Sequence, residues 1–192
     1  MSRGPAWRLG HKADPVGVRL ADGHYSRRTP GSPQFMPPGE TLVLVAKDER
    51  AVFGWWRPHP RSGLRAMNGL DGWTCSIFRR IGGKIASALI LEAERFLAAE
   101  KTCGPDGLLT YVWDAKVRSE VPGTCFLAAG WTVHPTKPRS ADGRKTLLWK
   151  PWRLAGLVPA CAPCLDSGRP VASPQGYCMC VFGDRLYAAV GA

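Results

Sequence analysis

The chain alternates short apolar runs, rich in β-branched and aromatic residues, with one long segment of helical periodicity. Residues 41–46 (Thr-Leu-Val-Leu-Val-Ala) are almost wholly apolar, the pattern of a buried strand, and Lys47-Asp48-Glu49-Arg50 is its turn. Residues 51–57 return as the second arm of a hairpin. Residues 73–78 make the next strand. From about 84 to 101 the apolar positions 85, 89, 93, 96 and 97 fall on one face of a helix, which Cys103-Gly104-Pro105 stops. Residues 107–114 predict a strand that ends on a carboxylate. Pro122 and Gly130 bracket a short helix, with proline at its start and glycine at its end. Residues 131–134 and 146–150 close the pattern as a hairpin around a basic, polar loop. At the other end, the first fifteen residues have no period and read as a loose arm, and residues 16–20 read as a short first strand.

This order predicts an α+β fold: a mixed, mostly antiparallel sheet with one embedded βαβ crossover. Residues 1–150 form the main domain. After Pro151 the composition shifts to proline, cysteine and glycine, which marks residues 151–192 as a cysteine-rich appendage. No apolar run approaches the length of a membrane helix, and the first residues lack the apolar core of a signal peptide. A cytoplasmic protein with no membrane partner is expected.

Charge narrows the partners. The net charge is +11, and the tail contributes only +1 of it, with Arg153, Arg169 and Arg185 against Asp166 and Asp184. The basic character belongs to the main domain, as expected for a protein that meets a polyanion such as double-stranded DNA; solubility alone is the plainer reading. Arg27, Arg28, Arg57, Arg61, Arg65 and Arg118 are the candidate phosphate contacts. Trp55, Trp56 and Trp113 are either stacking platforms for a base or core.

Of seven cysteines, four sit as Cys161-x-x-Cys164 and Cys178-x-Cys180 around a loop-like interval. Two close pairs of thiolates suit one tetrahedral structural zinc; two disulfides or four unmodified thiols are the alternatives. Cys75, Cys103 and Cys125 lie in apolar segments as small buried hydrophobes.

The most chemically suggestive stretch is Phe78-Arg79-Arg80-Ile81-Gly82-Gly83-Lys84, between a strand and the long helix. The first turn of a helix has unpaired N–H groups and the positive dipole end, and glycines admit a phosphate to the backbone. Arg79, Arg80, Gly82, Gly83 and Ser87 are therefore candidates to hold a small donor. An ordinary strand-to-helix turn would use the same residues. His24 and Tyr25 are the best reactive pair, or else side chains that orient their loop. Asp114 would orient a substrate amino group, join His24 on a catalytic metal, or cap the turn that follows.

The element order resembles the GCN5-related N-acetyltransferase (GNAT) superfamily, whose members hold the pyrophosphate of acyl-coenzyme A on such a turn. Arg79 and Gly82 match that motif, and Lys84 stands where its second small residue belongs. A narrower resemblance rests on several motifs in one order. These are His24-Tyr25-Ser26-Arg27, Phe78-Arg79-Arg80, Ser87-Ala88-Leu89-Ile90, Val112-Trp113-Asp114, Val117-Arg118-Ser119 and Pro122-Gly123-Thr124-Cys125-Phe126. Over residues 16–150 they are similar to the Mom-type DNA-modification proteins of bacteriophages. There Thr124 replaces a tyrosine. The resemblance implies a transferase that converts adenine in phage DNA to an N6-carbamoylmethyl derivative and shields it from host restriction. Two other readings stay open: an acetyl-coenzyme A-dependent N-acetyltransferase acting on a small amine or protein, and a non-catalytic zinc-stapled DNA-binding module.

Overall fold

Seven strands form one sheet in the order β1-β2-β3-β4-β5-β7-β6, all neighbours antiparallel except β4 and β5. They come from a computed structural model that describes residues 6–59, 67–117 and 119–155. Arg61, Arg65, Arg118 and the four tail cysteines expected to hold a zinc lie outside the described residues. Among the described residues no helix is long and apolar enough to cross a membrane.

Two elements near the start of the chain correct the sequence reading. Residues expected to be a loose arm contain strand β1 (Trp7–Gly10), which pairs with β2 (Glu40–Ala46) from Trp7↔Ala46 to Gly10↔Val43. Trp7 is buried, and its indole donates to Leu89 O at 2.9 Å. That long-range contact, not local periodicity, holds the strand. Residues expected as a first strand form helix α1 (Pro15–Asp22) instead. Asp14 caps it by accepting from the Val16 and Gly17 N–H groups, Pro15 opens it, and Arg8 braces the carboxylate at 2.7 Å. An aspartate before a proline is a helix-start signal, and it outweighs the short β-branched run behind it.

The remaining elements follow the predicted order, with ends shifted by a residue or more. Strand β3 (Ala51–Arg57) pairs with β2 and with β4 (Trp73–Arg80). Helix α2 (Ala86–Glu100) then crosses to β5 (Leu108–Trp113), giving the βαβ unit and its parallel pair. Helix α3 is only Thr124–Leu127, and β6 (Thr132–Val133) with β7 (Lys145–Lys150) closes the sheet.

Alternation along the strands builds two cores. Leu42, Leu44, Phe53, Trp55 and Cys75 pack with Leu89, Ala93 and Leu97 of α2. Val43, Val45, Val52 and Ile77 face the other way, against Leu20, Ala21, Phe35 and Met36. The central strands are thus covered on both faces, which explains why β2 is apolar without alternation. Trp55 belongs wholly to this core: it is 0% exposed and donates to Ala93 O, so it is no platform for a base.

Deep in the larger core sits an ion pair. Lys150 Nζ donates to Glu94 Oε2 at 2.8 Å and to Ala129 O at 2.9 Å, and Trp131 donates to Glu94 Oε1 at 2.7 Å. Both charged side chains are 0% exposed. The pair ties α2 and β7 to the segment that follows α3.

Candidate active site

The parallel pair does not stay paired. β4 and β5 share register only over Trp73↔Leu108, Thr74↔Leu109 and Cys75↔Thr110. Beyond those rungs β4 continues along β3 to Arg80, and β5 continues along β7 to Trp113. The two strands therefore part, each leaving one edge without a strand neighbour among the described residues.

The loop that leaves α1 carries His24 and Tyr25 into this parting. His24 is half-buried, and its environment includes the Phe78 main chain and Arg79 on β4. Tyr25 stacks on it with ring centroids 4.2 Å apart and reaches the Trp113 main chain on β5. The pair thus bridges the two separated edges. Arg79 fastens the loop from the β4 side by donating to Gly23 O. Arg27 fastens it from within, bonding Asp22 at 2.9 Å, Gln34 O at 2.7 Å and Ser32 O at 2.6 Å. Its side chain is only 8% exposed, so the guanidinium expected to meet phosphate faces inward.

Electrostatics sets the state of both rings. Burial, with Arg79 beside it, pushes the His24 imidazole down to about 4, so it is neutral at physiological pH. Its Nδ1 accepts from the Ser26 main-chain N–H at 3.2 Å and lies 2.7 Å from the Ser26 hydroxyl. That assignment leaves the ring hydrogen on Nε2. Burial pushes the Tyr25 phenol up, a trend that the Trp113 main chain opposes and the nearby Asp114 charge reinforces. Tyr25 therefore keeps its hydrogen at neutral pH. With 38% of its surface exposed, it can donate to a ligand in the opening.

Below the opening lies an aromatic floor. Phe78 of β4 meets Phe126 of α3 edge-on at 6.0 Å, Phe126 meets Trp131 at 5.0 Å, and Phe53 backs Phe78 at 5.3 Å. Gly123 makes this possible. It adopts φ +75°, and a Cβ there would run into Leu148 and Val112, so only glycine brings α3 this close to the sheet. Thr124 follows it, with its hydroxyl turned to Val121 O and Ser119.

Asp114 lies one residue past Trp113 but faces away from the pair. Its carboxylate accepts from the Thr146 N–H at 3.0 Å and hydroxyl at 3.1 Å, and pairs with Arg139 at 3.3 Å. Tyr25 feels its charge, while its oxygens are engaged by β7 and the loop before it. His24 Nδ1 is likewise engaged by Ser26. Among the described residues no three His, Cys, Asp or Glu side chains converge as a metal site.

The glycine turn lies at the far end of β4. Ile81 N–H bonds Arg50 O, and Gly83 at φ +78° packs so closely on Asp48 that a Cβ would collide with its carboxylate. Arg80 is exposed and curls to Gly83 O at 3.5 Å, and Lys84 pairs with Glu92 at 2.8 Å. No side chain caps α2, and Ser87 sits half-buried in its first turn.

Of the candidate phosphate contacts in the described residues, Arg28 is exposed, and Arg57 is held by Asp71 at 2.6 Å. Sequence reading overlooked Cys75 and Cys125 as neighbours of Tyr25. Burial raises both thiols, Cys125 to about 11, so both stay protonated beside Tyr25. Nothing in the local pattern distinguishes them from other core cysteines.

Comparison with known proteins gives no match to any family model, curated protein or solved structure. The functional reading therefore rests on this geometry and on the sequence motifs.

Proposed function

We propose that this protein is a DNA base-modifying transferase that acts on adenine N6 within an acyltransferase-like frame. The observation that carries the reading is the parting of β4 and β5, filled by a protonated phenol stacked on a neutral imidazole above an aromatic floor. In this reading a planar, weakly polar ligand, such as an adenine turned out of the duplex, is received beside these rings. The basic main domain supplies the attraction for the phosphates.

In this reading the glycine turn and the first turn of α2 hold a small donor, acyl-coenzyme A or another, near Arg79, Arg80, Gly82, Gly83 and Ser87. The adenine amino group is a poor nucleophile because its lone pair is delocalised into the ring. Catalysis then rests on holding N6 against the donor's electrophilic carbon while the new N–C bond forms and the donor's leaving group departs. The proton that N6 loses is taken up by the departing group. Tyr25 donates its hydrogen bond to the developing negative charge on the donor, and His24 fixes the phenol by stacking. Asp114 acts indirectly, by fastening the end of β5 on which Trp113 meets Tyr25. The carbamoylmethyl adduct expected of Mom-type proteins, and protection of phage DNA from restriction, belong to the same proposal.

The Gly82-Gly83 turn leading into α2 also suits the pyrophosphate of acetyl-coenzyme A, which supports a second reading as an N-acetyltransferase for small amines or proteins. One experiment separates them. The full chain is expressed in bacteria, plasmid DNA is digested to nucleosides, and deoxyadenosine is examined by mass spectrometry. A mass-shifted deoxyadenosine that Tyr25→Phe abolishes supports the base-modifying reading. Unshifted DNA together with acetylated amines in the same cells overturns it.

A further inference from the structure

Trp113, the last residue of β5, is surrounded by cations. Lys116 Nζ lies 5.6 Å from its ring centroid, and the Arg144 guanidinium and Lys145 Nζ each lie 5.7 Å away. Lys145 is directly opposite Trp113 in the β5–β7 register, and Lys116 ends the turn that β5 runs into. No two of the three charges can be more than about 11 Å apart, roughly one Debye length, so they repel one another. The indole face attracts each of them without cancelling any charge.

Nearby carboxylates do not balance the group. Asp142 holds Arg144 at 2.8 Å, and Asp114 is paired with Arg139. Lys116 and Lys145 have no carboxylate partner among the described residues. A solvated basic face spreads its charges, whereas here three converge on one ring. That ring lies at the point where β5 has left β4 and Tyr25 reaches across.

The position fixes what anion fits. Extruding a base rotates it about its backbone, so the phosphates on either side stay at the mouth of the pocket that receives it. The Trp113 cluster stands at that mouth. We propose that Lys116, Arg144 and Lys145, gathered on Trp113, form the dock for the DNA phosphates that flank the target nucleotide. This inference rests on the DNA-modifying reading and adds where the strand is gripped. It transfers the phosphate-binding role from Arg27 to the β5 end and the loop before β7.

The test uses the full chain and a fluorescent DNA duplex, with binding followed by anisotropy between 50 and 200 mM salt as in ordinary salt-dependence work. Three lost phosphate contacts reduce the slope of log affinity against log salt by about 2–3, since each contributes about 0.9. K116Q/R144Q/K145Q is expected to show that shallower slope, while K116R/K145R keeps the original one. Lys116 and Arg144 are exposed, and an unchanged circular dichroism spectrum shows that the neutralised variant is folded. If the unaltered protein binds DNA and the triple variant has the same slope, the dock is overturned and the base-modifying reading stands. If the slope holds but the donor KM rises, the cluster holds a donor phosphate, which also overturns the dock. If the unaltered protein has no affinity for DNA at any of these salts, the reading beneath it falls as well.

Discussion

Replacing Lys150 with methionine isolates the buried ion pair. Methionine matches the length of the lysine stem but leaves Glu94 charged at a site with no exposure. The Trp131 indole and the Lys150 ammonium donate to it at 2.7 and 2.8 Å, and the substitution removes the charged donor. Removing one partner from a buried pair costs about 3–5 kcal/mol, a large share of the ~5–15 kcal/mol that holds a domain folded. The expected result is a K150M protein whose unfolding free energy falls by that amount, seen as a lower urea midpoint at unchanged m. E94Q/K150M keeps an acceptor for Trp131 and removes the stranded charge, so it should recover most of the loss. Unfolding followed by tryptophan fluorescence and by circular dichroism together supplies the measurement. A K150M loss below about 1 kcal/mol, or a double variant no better than the single one, would refute the view of this pair as a high-stakes element of the core.

Other outcomes follow from single contacts. Asp14→Ala removes the α1 cap and the Arg8 pair and should cost about 1–2 kcal/mol. Because the Arg8 hydrogen bond holds the Asp14 carboxyl below 3.8, its contribution is present above that pH and lost as the pH falls through its lower folded value; the variant's acid unfolding curve should lack that component. His24 in the folded protein should titrate near 4 by NMR, and a midpoint near 6.5 would contradict the enclosure argued for it. The sign runs the same way: its contribution is complete above about 6.5 and disappears as the pH falls toward 4, a loss that His24→Asn should not show. Gly83→Ala meets both a positive φ and the Asp48 carboxylate, whereas Gly143→Ala meets a positive φ alone. The first should lower the melting temperature more than the second, which bears only the ~1–2 kcal/mol of left-handed strain.

Much of the sheet was legible because its cues are local. The apolar run 41–46, the hairpin turn at 47–50 and the i, i+4 rows of α2 each carry their own period, and the proline and glycine around α3 mark its limits. β1 was not legible, since Trp7 is held by Leu89 and the β1 backbone by β2, contacts from far along the chain. At α1 the valines of residues 16–20 suggest a strand, while the Asp14-Pro15 start signal belongs to the helix that forms. At the site, the motifs placed His24, Tyr25 and Asp114 in one neighbourhood but not their orientation. That Asp114 turns to Thr146, and that Arg27 turns inward to Ser32 and Gln34, depends on loops whose conformation has no period to read. The cations on Trp113 come from two segments that only the β5–β7 register brings together.

The divergence of β4 from β5 has one more consequence, for solubility. Each inner margin carries amide and carbonyl groups of the sort that invite another chain to add a strand, and here they lie in the middle of the sheet rather than at its rim. The α1–β2 connection is the stopper that keeps such a guest out. Shortening it so that His24 and Tyr25 are lost would turn the crevice into a seam for self-association, and the protein would sediment as dimers and larger species rather than simply lose a ligand.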